Sequence, residues 1–296
     1  MRLLSARTAR GETLGVVSDR RWLPATDLLP DGPRVMADLL VGGRAALDSL
    51  RAAAETSMAQ IARDGQPTDD TEYLAPVPRP GKVVAIGRNY RTHAAEEGVD
   101  PPTAPLIFSK WPSSVVGHGT AIRWSTELTA QVDFEAELAV VIGRAARRVT
   151  VDEALDHVLG YTCLNDVSAR DLQFGDGQWA RGKSLDTFCP MGPVLVTADE
   201  IGDPQQLAIS CTVGSERVQD ASTAQMYFRV AEIISYCSAA FTMEPGDVIA
   251  TGTPGGVGAF REPPRFLSDG DRVSVEIERI GRLENVCIVE PARVLA

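Results

Sequence analysis

The sequence predicts an α+β fold that is mainly β, with a small N-terminal α+β domain ahead of a larger one. Three observations carry this. Short apolar runs closed by glycine or polar residues recur at 82–87, 106–112, 133–143, 160–164 and 271–278, the pattern of strands. Longer helical spacing is confined to residues 34–62, 151–159 and 227–241. Pro76, Pro78 and Pro80, followed by Gly81, form a stiff extended connector, which sets the boundary between domains 1–78 and 79–296.

The 296 residues are 44% hydrophobic, enough for a sizeable core. Twenty-nine basic and 40 acidic residues leave a formal net charge of −11. That disfavours a nucleic-acid partner and supplies no basic patch for a membrane. No apolar run approaches the roughly 20 residues of a membrane span, and no signal-peptide pattern opens the chain. Cys163, Cys189, Cys211, Cys237 and Cys287 are odd in number, well separated and without CxxC spacing. They read as reduced core residues of a cytoplasmic protein, with Cys189 as the one alternative nucleophile.

In the N-terminal part, Leu3, Leu14, Val16 and Val17 flank Arg10-Gly11 and suggest a hairpin; residues 34–62, rich in Ala, Leu and Arg, suggest one or two helices. No catalytic constellation shows there. Residues 82–87 read as a buried strand. After it, Thr92 can cap a short helix that Gly98 ends, and His93 and Glu96 share a face at i, i+3. A carboxylate beside an imidazole raises its basicity and fixes its tautomer, although an ordinary surface ion pair has the same spacing. Gly98, Pro101 and Pro102 make the next segment a loop able to move, so residues 91–104 read as a lid. Residues 106–112 form a strand and turn, and His118 sits in a glycine-flanked loop as a structural or exposed residue.

Residues 133–143 read as one strand, DFEAELAVVIG. Alternation turns Glu135 and Glu137 to one side and Phe134, Ala136 and Leu138 to the core. Carboxylates about 7 Å apart on one face repel each other unless something positive lies between them. Outward glutamates on an ordinary sheet share this pattern, but the unbroken apolar run that follows marks a strand buried on both faces. Lining a pocket around a hard divalent cation suits these carboxylates better.

Thr150 caps a helix over 151–159, and the strand at 160–164 runs into NDVSARDLQ, where Asp166 is placed for a third carboxylate and Arg170 and Gln173 for a following helical turn. Lys183 lies among apolar neighbours in a stretch crowded with functional groups. Residues 193–218 read as two strands and 227–241 as a helix. The glycine run at 251–258 lacks the Gly-Lys-Ser/Thr ending of a phosphate loop, and Pro254 removes an amide, so it reads as a backbone-rich wall around a small anion. Strands over 271–278 and 282–294 finish the chain.

Five segments in register, GRNYRTHAAE, DFEAEL, NDVSARDLQ, GKSLDTFCPMGP and GDVIATGTPGGVG, resemble the fumarylacetoacetate hydrolase family over residues 79–296. The resemblance implies a mixed β-sandwich roll and a homodimer. It implies Mg²⁺ or Mn²⁺, with Ca²⁺ an option, on Glu135, Glu137 and Asp166. It implies His93 and Glu96 as a base dyad, with Lys183 as the third catalytic residue and Arg88, Arg170, Gln173 and Thr253 at substrate-contacting positions. A further aspartate ligand of the larger eukaryotic hydrolases falls near Ile86 and is missing. That points to the smaller three-carboxylate branch, acylpyruvase-like or 2-hydroxyhepta-2,4-diene-1,7-dioate isomerase-like, acting on small 2-oxo acids, as in aromatic-compound catabolism.

The expected activity is divalent-metal-dependent C–C bond hydrolysis of an acylpyruvate or fumarylpyruvate through a pyruvate enolate. The alternative is a decarboxylase or isomerase of a 2-oxo dicarboxylic acid such as oxaloacetate. A non-catalytic protein binding a metal and a 2-oxo acid would need no His93, Glu96 and Lys183.

Overall fold

The computed structural model describes residues 1–291; the end of the strand expected over 282–294 lies outside them. Strands β1 (Arg2–Thr8) and β2 (Gly11–Ser18) form the N-terminal hairpin. Helix α1 (Met36–Asp64) covers the helical stretch as one run bent at Gly43, whose φ of 58° and ψ of −144° only glycine adopts readily. There follow β3 (Val83–Gly87), α2 (Arg91–Glu96), β4 (Leu106–Lys110), β5 (Ala136–Ile142) and β6 (Val158–Asn165). The short helices α3 (Arg170–Asp176) and α4 (Ala180–Lys183) precede β7 (Cys189–Thr197), β8 (Ala208–Val213) and β9 (Glu216–Ser222). Helix α5 (Val230–Ala240), β10 (Val248–Ala250), β11 (Arg272–Ile277) and β12 (Gly281–Glu290) complete the chain.

The fold is a β-sandwich roll of mixed strand directions. Beyond short edge strands at Gln66–Pro67 and Arg21–Pro24, the large sheet runs β2-β1-β7-β6-β5-β10-β3-β4, so the N-terminal hairpin joins it through β1 against β7. A second sheet is ordered β9-β8-β11-β12, with Ile122–Ser125 at its end. Strand alternation decides what each face of the large sheet buries. Val84, Ile86, Leu138, Val140 and Ile142 pack with Ile209, Cys211, Val273 and Val275 of the second sheet. Val83, Ala85, Ala139 and Val141 pack the other way, with Leu47, Leu50 and Ile61 of α1. The apolar run 138–142 is thus buried on both faces, and each large side chain there contributes about 1.5–3 kcal/mol by leaving water. No helix among the described residues is long and apolar enough to cross a membrane.

Local competition moves several boundaries. The expected strand 133–143 is broken at Phe134 and Glu135. There the amide of Glu135 donates to Asn165 Oδ1 and that of Ala136 to Gln219 Oε1, so side chains replace the ladder. Thr150 does cap its helix, but the helix ends at Ala154 and β6 begins at Val158, because residues 158–165 pair with both β5 and β7. The region expected to hold two strands begins at Cys189 and holds three, β7, β8 and β9. Thr92 is not the cap of α2: Tyr90 holds that position, and Thr92 Oγ1 accepts from the Gly255 amide at 3.0 Å.

Candidate active site

Strand direction assembles the site. β10 and β3 run parallel, with Ala250 opposite Ala85, so the segments after both leave one edge of the sheet together. β5 is antiparallel to β10 and to β6, which brings its start to that same edge, with Ala136 opposite Asn165. Glu135 and Glu137 at the start of β5, Asp166 after β6, Thr253 after β10 and Arg88 after β3 therefore meet.

The carboxylates of Glu135, Glu137 and Asp166 are buried and offer oxygens all within 4.8 Å of one another. Positive side chains thread between them. Lys183 Nζ donates to Glu135 Oε2 at 2.7 Å and Asp166 Oδ2 at 3.0 Å. Arg170 Nη2 pairs with Glu135 Oε1 at 2.7 Å, while Nε donates to Asp133 Oδ2 at 2.8 Å and Nη1 to Gln173 Oε1 at 2.9 Å. Lys110 Nζ, fully buried, donates to Asp166 Oδ1 at 2.6 Å and Val167 O at 3.2 Å, and also to the Lys183 carbonyl.

This distribution sets unequal proton affinities. Burial works against ionised Glu135, but the charges of Lys183 and Arg170 overcome it and hold the carboxyl down at about 2. Burial and the charges of Asp166 and Glu135 push Glu137 well above the usual carboxylate range, and Lys183 and the Gly252 amide, 2.8 Å from Glu137 Oε2, offset this only in part. Burial opposes the charge on Lys183, yet Asp166 and Glu135 raise its pKa. A buried, under-compensated carboxylate beside two others calls for a cation. Three hard oxygen donors suit Mg²⁺, Mn²⁺ or Ca²⁺, so the residues fit the ion that the sequence implies.

Helix α2 closes over this cluster. His93 is 4% exposed, its Nδ1 2.7 Å from Glu96 Oε1 and its Nε2 3.0 Å from Glu97 Oε1. Burial pulls the imidazole pKa down, but the bonds to Glu96 and Glu97, with the charge of Glu135, lift it to about 9. Glu96 Oε2 also accepts the Gly256 amide at 2.6 Å. Gly256 has a φ of 103°, and a Cβ there would meet Val218 O at 2.2 Å, so this anchor point admits only glycine. Arg88, also in a left-handed conformation at φ 58°, lies over the Trp179 ring at 5.6 Å and donates from Nε to Glu97 Oε2 at 2.8 Å. Thr253 lines the pocket and accepts from Gln219 Nε2 at 2.8 Å. With α2 down, the space enclosed among these groups is about 10 Å³, room for about one water molecule.

Four residues that sequence reading did not single out organise the site. Asp133 accepts from the amides of Phe134, Gly258 and Ala259 as well as from Arg170, and so ties the glycine loop to that arginine. The period of two from Glu137 back through Glu135 to Asp133 was its signal. Lys110 and Glu97 had a charge in a compact apolar or helical setting; Gln219 had no signal. Cys189 is no nucleophile, since burial holds its thiol up at about 12, and all five cysteines are free and buried. His118 is structural: its Nδ1 accepts the Glu284 amide at 3.0 Å.

A buried carboxylate triad laced with lysine and arginine, beneath a His–Glu pair on a β-sandwich roll, defines an enzyme-type site. Residues 82–288 match the family model for the fumarylacetoacetate hydrolase C-terminal domain. The chain belongs to the fumarylacetoacetate hydrolase family. It is 45% identical over 258 residues to the mitochondrial oxaloacetate tautomerase FAHD2B of Bos taurus, covering 86% of this chain and 80% of that one. It is 48% identical over 219 residues to the oxaloacetate tautomerase YisK of Bacillus subtilis, covering 73% of each. Its fold matches the fumarylacetoacetate hydrolase of Exiguobacterium antarcticum with a TM-score of 0.80 at 36% identity, over 98% of this chain and 100% of that one.

Proposed function

We propose that the protein interconverts the enol and keto forms of oxaloacetate or a closely related 2-oxo dicarboxylic acid, with a divalent cation on Glu135, Glu137 and Asp166. This takes the isomerase side of the expectation from sequence rather than C–C hydrolysis. The observation that carries it is the geometry at His93. Both ring nitrogens face carboxylates, Nδ1 toward Glu96 and Nε2 toward Glu97, surroundings that favour the charged imidazole. Hydrolysis needs a neutral imidazole to take a proton from water. Tautomerisation needs a group that gives a proton to carbon and takes it back, and a charged imidazole starts on the right side of that exchange. The relatives from Bos taurus and Bacillus subtilis that are named oxaloacetate tautomerases support the same reading.

In the reaction, Arg170 and Gln173 bind the substrate carboxylate. Lys183 places its ammonium beside the C2 oxygen, stabilising negative charge there as the enol O–H gives up its proton to solvent. His93 then delivers its proton to C3 and regains one from solvent, and Glu96 keeps the ring oriented from Nδ1. In reverse the neutral ring removes the C3 proton. A cation in the triad would add Lewis-acid polarisation of the C2 oxygen.

The test is the ultraviolet absorbance of the conjugated enol, followed after mixing oxaloacetate with enzyme and Mg²⁺, with pyruvate assayed in parallel. Fast relaxation to the keto form without pyruvate is expected. Acylpyruvate cleavage faster than that relaxation overturns the proposal. Glu135→Gln is expected to weaken Mg²⁺ binding at least tenfold by calorimetry with the fold retained; unchanged binding removes Glu135 from the ligand set.

A pocket of this size admits no substrate until α2 lifts. Amides of residues 91–98 are therefore expected to exchange faster than those of β5, and to slow by about tenfold or more with oxalate plus Mg²⁺. Equal exchange with and without oxalate counts against a moving lid.

A further inference from the structure

We propose that Glu97 occupies, in the closed lid, the place of the substrate's distal carboxylate, so that Arg88 accepts a dicarboxylic 2-oxo acid by exchanging one carboxylate for another and His93 is released to face the substrate. The inference deepens the reading above and rests on it for the identity of the substrate class.

Both oxygens of Glu97 are taken by cationic groups: Oε2 by Arg88 Nε at 2.8 Å, Oε1 by His93 Nε2 at 3.0 Å. Glu97 lines the same pocket as Glu135, Arg170 and Lys183, and its side chain is only 11% exposed. Proximity to His93 and Arg88 outweighs burial and keeps it ionised, as a stand-in for a substrate carboxylate must be. The rest of the lid shows why Glu97 is the partner that leaves. His93 touches a substrate only if one nitrogen is released. Glu96 is pinned by the Gly256 amide as well as by Nδ1, whereas Glu97 is held by Arg88 and His93 alone. Arg88 in turn uses only Nε, stacks on Trp179 and keeps its outer N–H groups for a forked contact with a carboxylate. A substrate with one carboxylate at Arg170 and another at Arg88 thus takes over the Arg88 contact of Glu97, and the departure of Glu97 frees His93 Nε2 to face C3. A monocarboxylic acid leaves Glu97 in place.

A site self-occupied about nine parts in ten lowers apparent affinity about tenfold for any ligand that must displace the occupant. The experiment uses two unreactive 2-hydroxy acids that differ in the distal carboxylate, malate and lactate, titrated by calorimetry into Mg²⁺-loaded protein. Glu97→Gln is expected to tighten malate by about tenfold and lactate by less than threefold. Glu97→Asp, charged but too short to span both partners, is expected to shift malate the same way by a smaller factor, and carries the test if the glutamine variant does not fold. Malate and lactate gaining equally, or malate weakening in both variants, overturns the proposal and leaves Glu97 a strut of the lid. Because neither acid turns over, this outcome is independent of the tautomerase assay. Oxaloacetate relaxation with no difference between malate and lactate sinks only the role of Glu97, and a malate-selective gain without relaxation sinks only the reaction.

Discussion

Replacing His93 by alanine is expected to slow enol–keto interconversion of oxaloacetate about 10²–10⁴-fold, the usual scale for losing a positioned acid or base. The triad, Lys183 and Arg170 remain, so Mg²⁺ binding by calorimetry should stay within about twofold of the parent. Oxaloacetate decarboxylation, where present, should fall much less, because breaking that bond needs a stabilised enolate rather than a proton from His93, unless lid closure itself depends on the ring. Lys183→Ala should damage both reactions, since both pass through the same oxyanion. The pH profile has a sign. Burial lowers the imidazole pKa, and the bonds to Glu96 and Glu97 more than reverse this, so the proton-donating form persists up to about 9. The kcat/KM for ketonisation, which reports the free enzyme with Glu97 in place, is therefore expected to be level through neutral pH and to decline as pH rises through about 9, and His93→Ala should erase that decline. Interconversion within threefold of the parent in His93→Ala removes His93 from proton transfer and reopens the hydrolase reading.

What the sequence made legible followed from periodicity, and what it hid depended on partners distant in the chain. Alternation from Phe134 to Leu138 set core and site faces correctly, because a strand buried on both faces leaves no freedom to rotate its side chains. The same alternation missed the break at Phe134 and Glu135, since the groups that capture those amides, Asn165 and Gln219, come from other strands. Thr92 had the chemistry of a helix cap, but the Gly255 amide claimed its hydroxyl. Glu97 follows Glu96 directly and reads as a solvated helix end; only the positive φ of Arg88, invisible in the sequence, brings a second cation to it. The mixed direction of the large sheet was equally hidden: the parallel pairing of β10 with β3 spans residues 83–250, and it is this pairing that puts the lid beside the glycine loop.

Lys110→Met is expected to destabilise the protein by about 3–5 kcal/mol, the cost of breaking a buried ion pair from one side. Lys110 is 0% exposed, and so is its partner Asp166. Methionine matches the stem and keeps the packing, so the loss isolates the charge and its donors. Without them Asp166 Oδ1 and the carbonyls of Val167 and Lys183 lose a buried donor, and a cluster already under-compensated at Glu137 gains further negative charge. Lys183 cannot cover the loss, because its ammonium is already shared between Glu135 and Asp166. The midpoint of thermal unfolding is expected to fall by on the order of 10 °C. The excess negative charge also makes a signature that a simple packing defect lacks: added Mg²⁺ should recover more stability in Lys110→Met than in the parent, since the ion binds only the assembled triad. The measurement is the unfolding midpoint of both proteins in chelator and in saturating Mg²⁺. A fall of the same size with and without Mg²⁺ would mean that Lys110 supports the fold through its hydrogen bonds to Asp166, Val167 and Lys183 and takes no part in the charge balance that the ion shares.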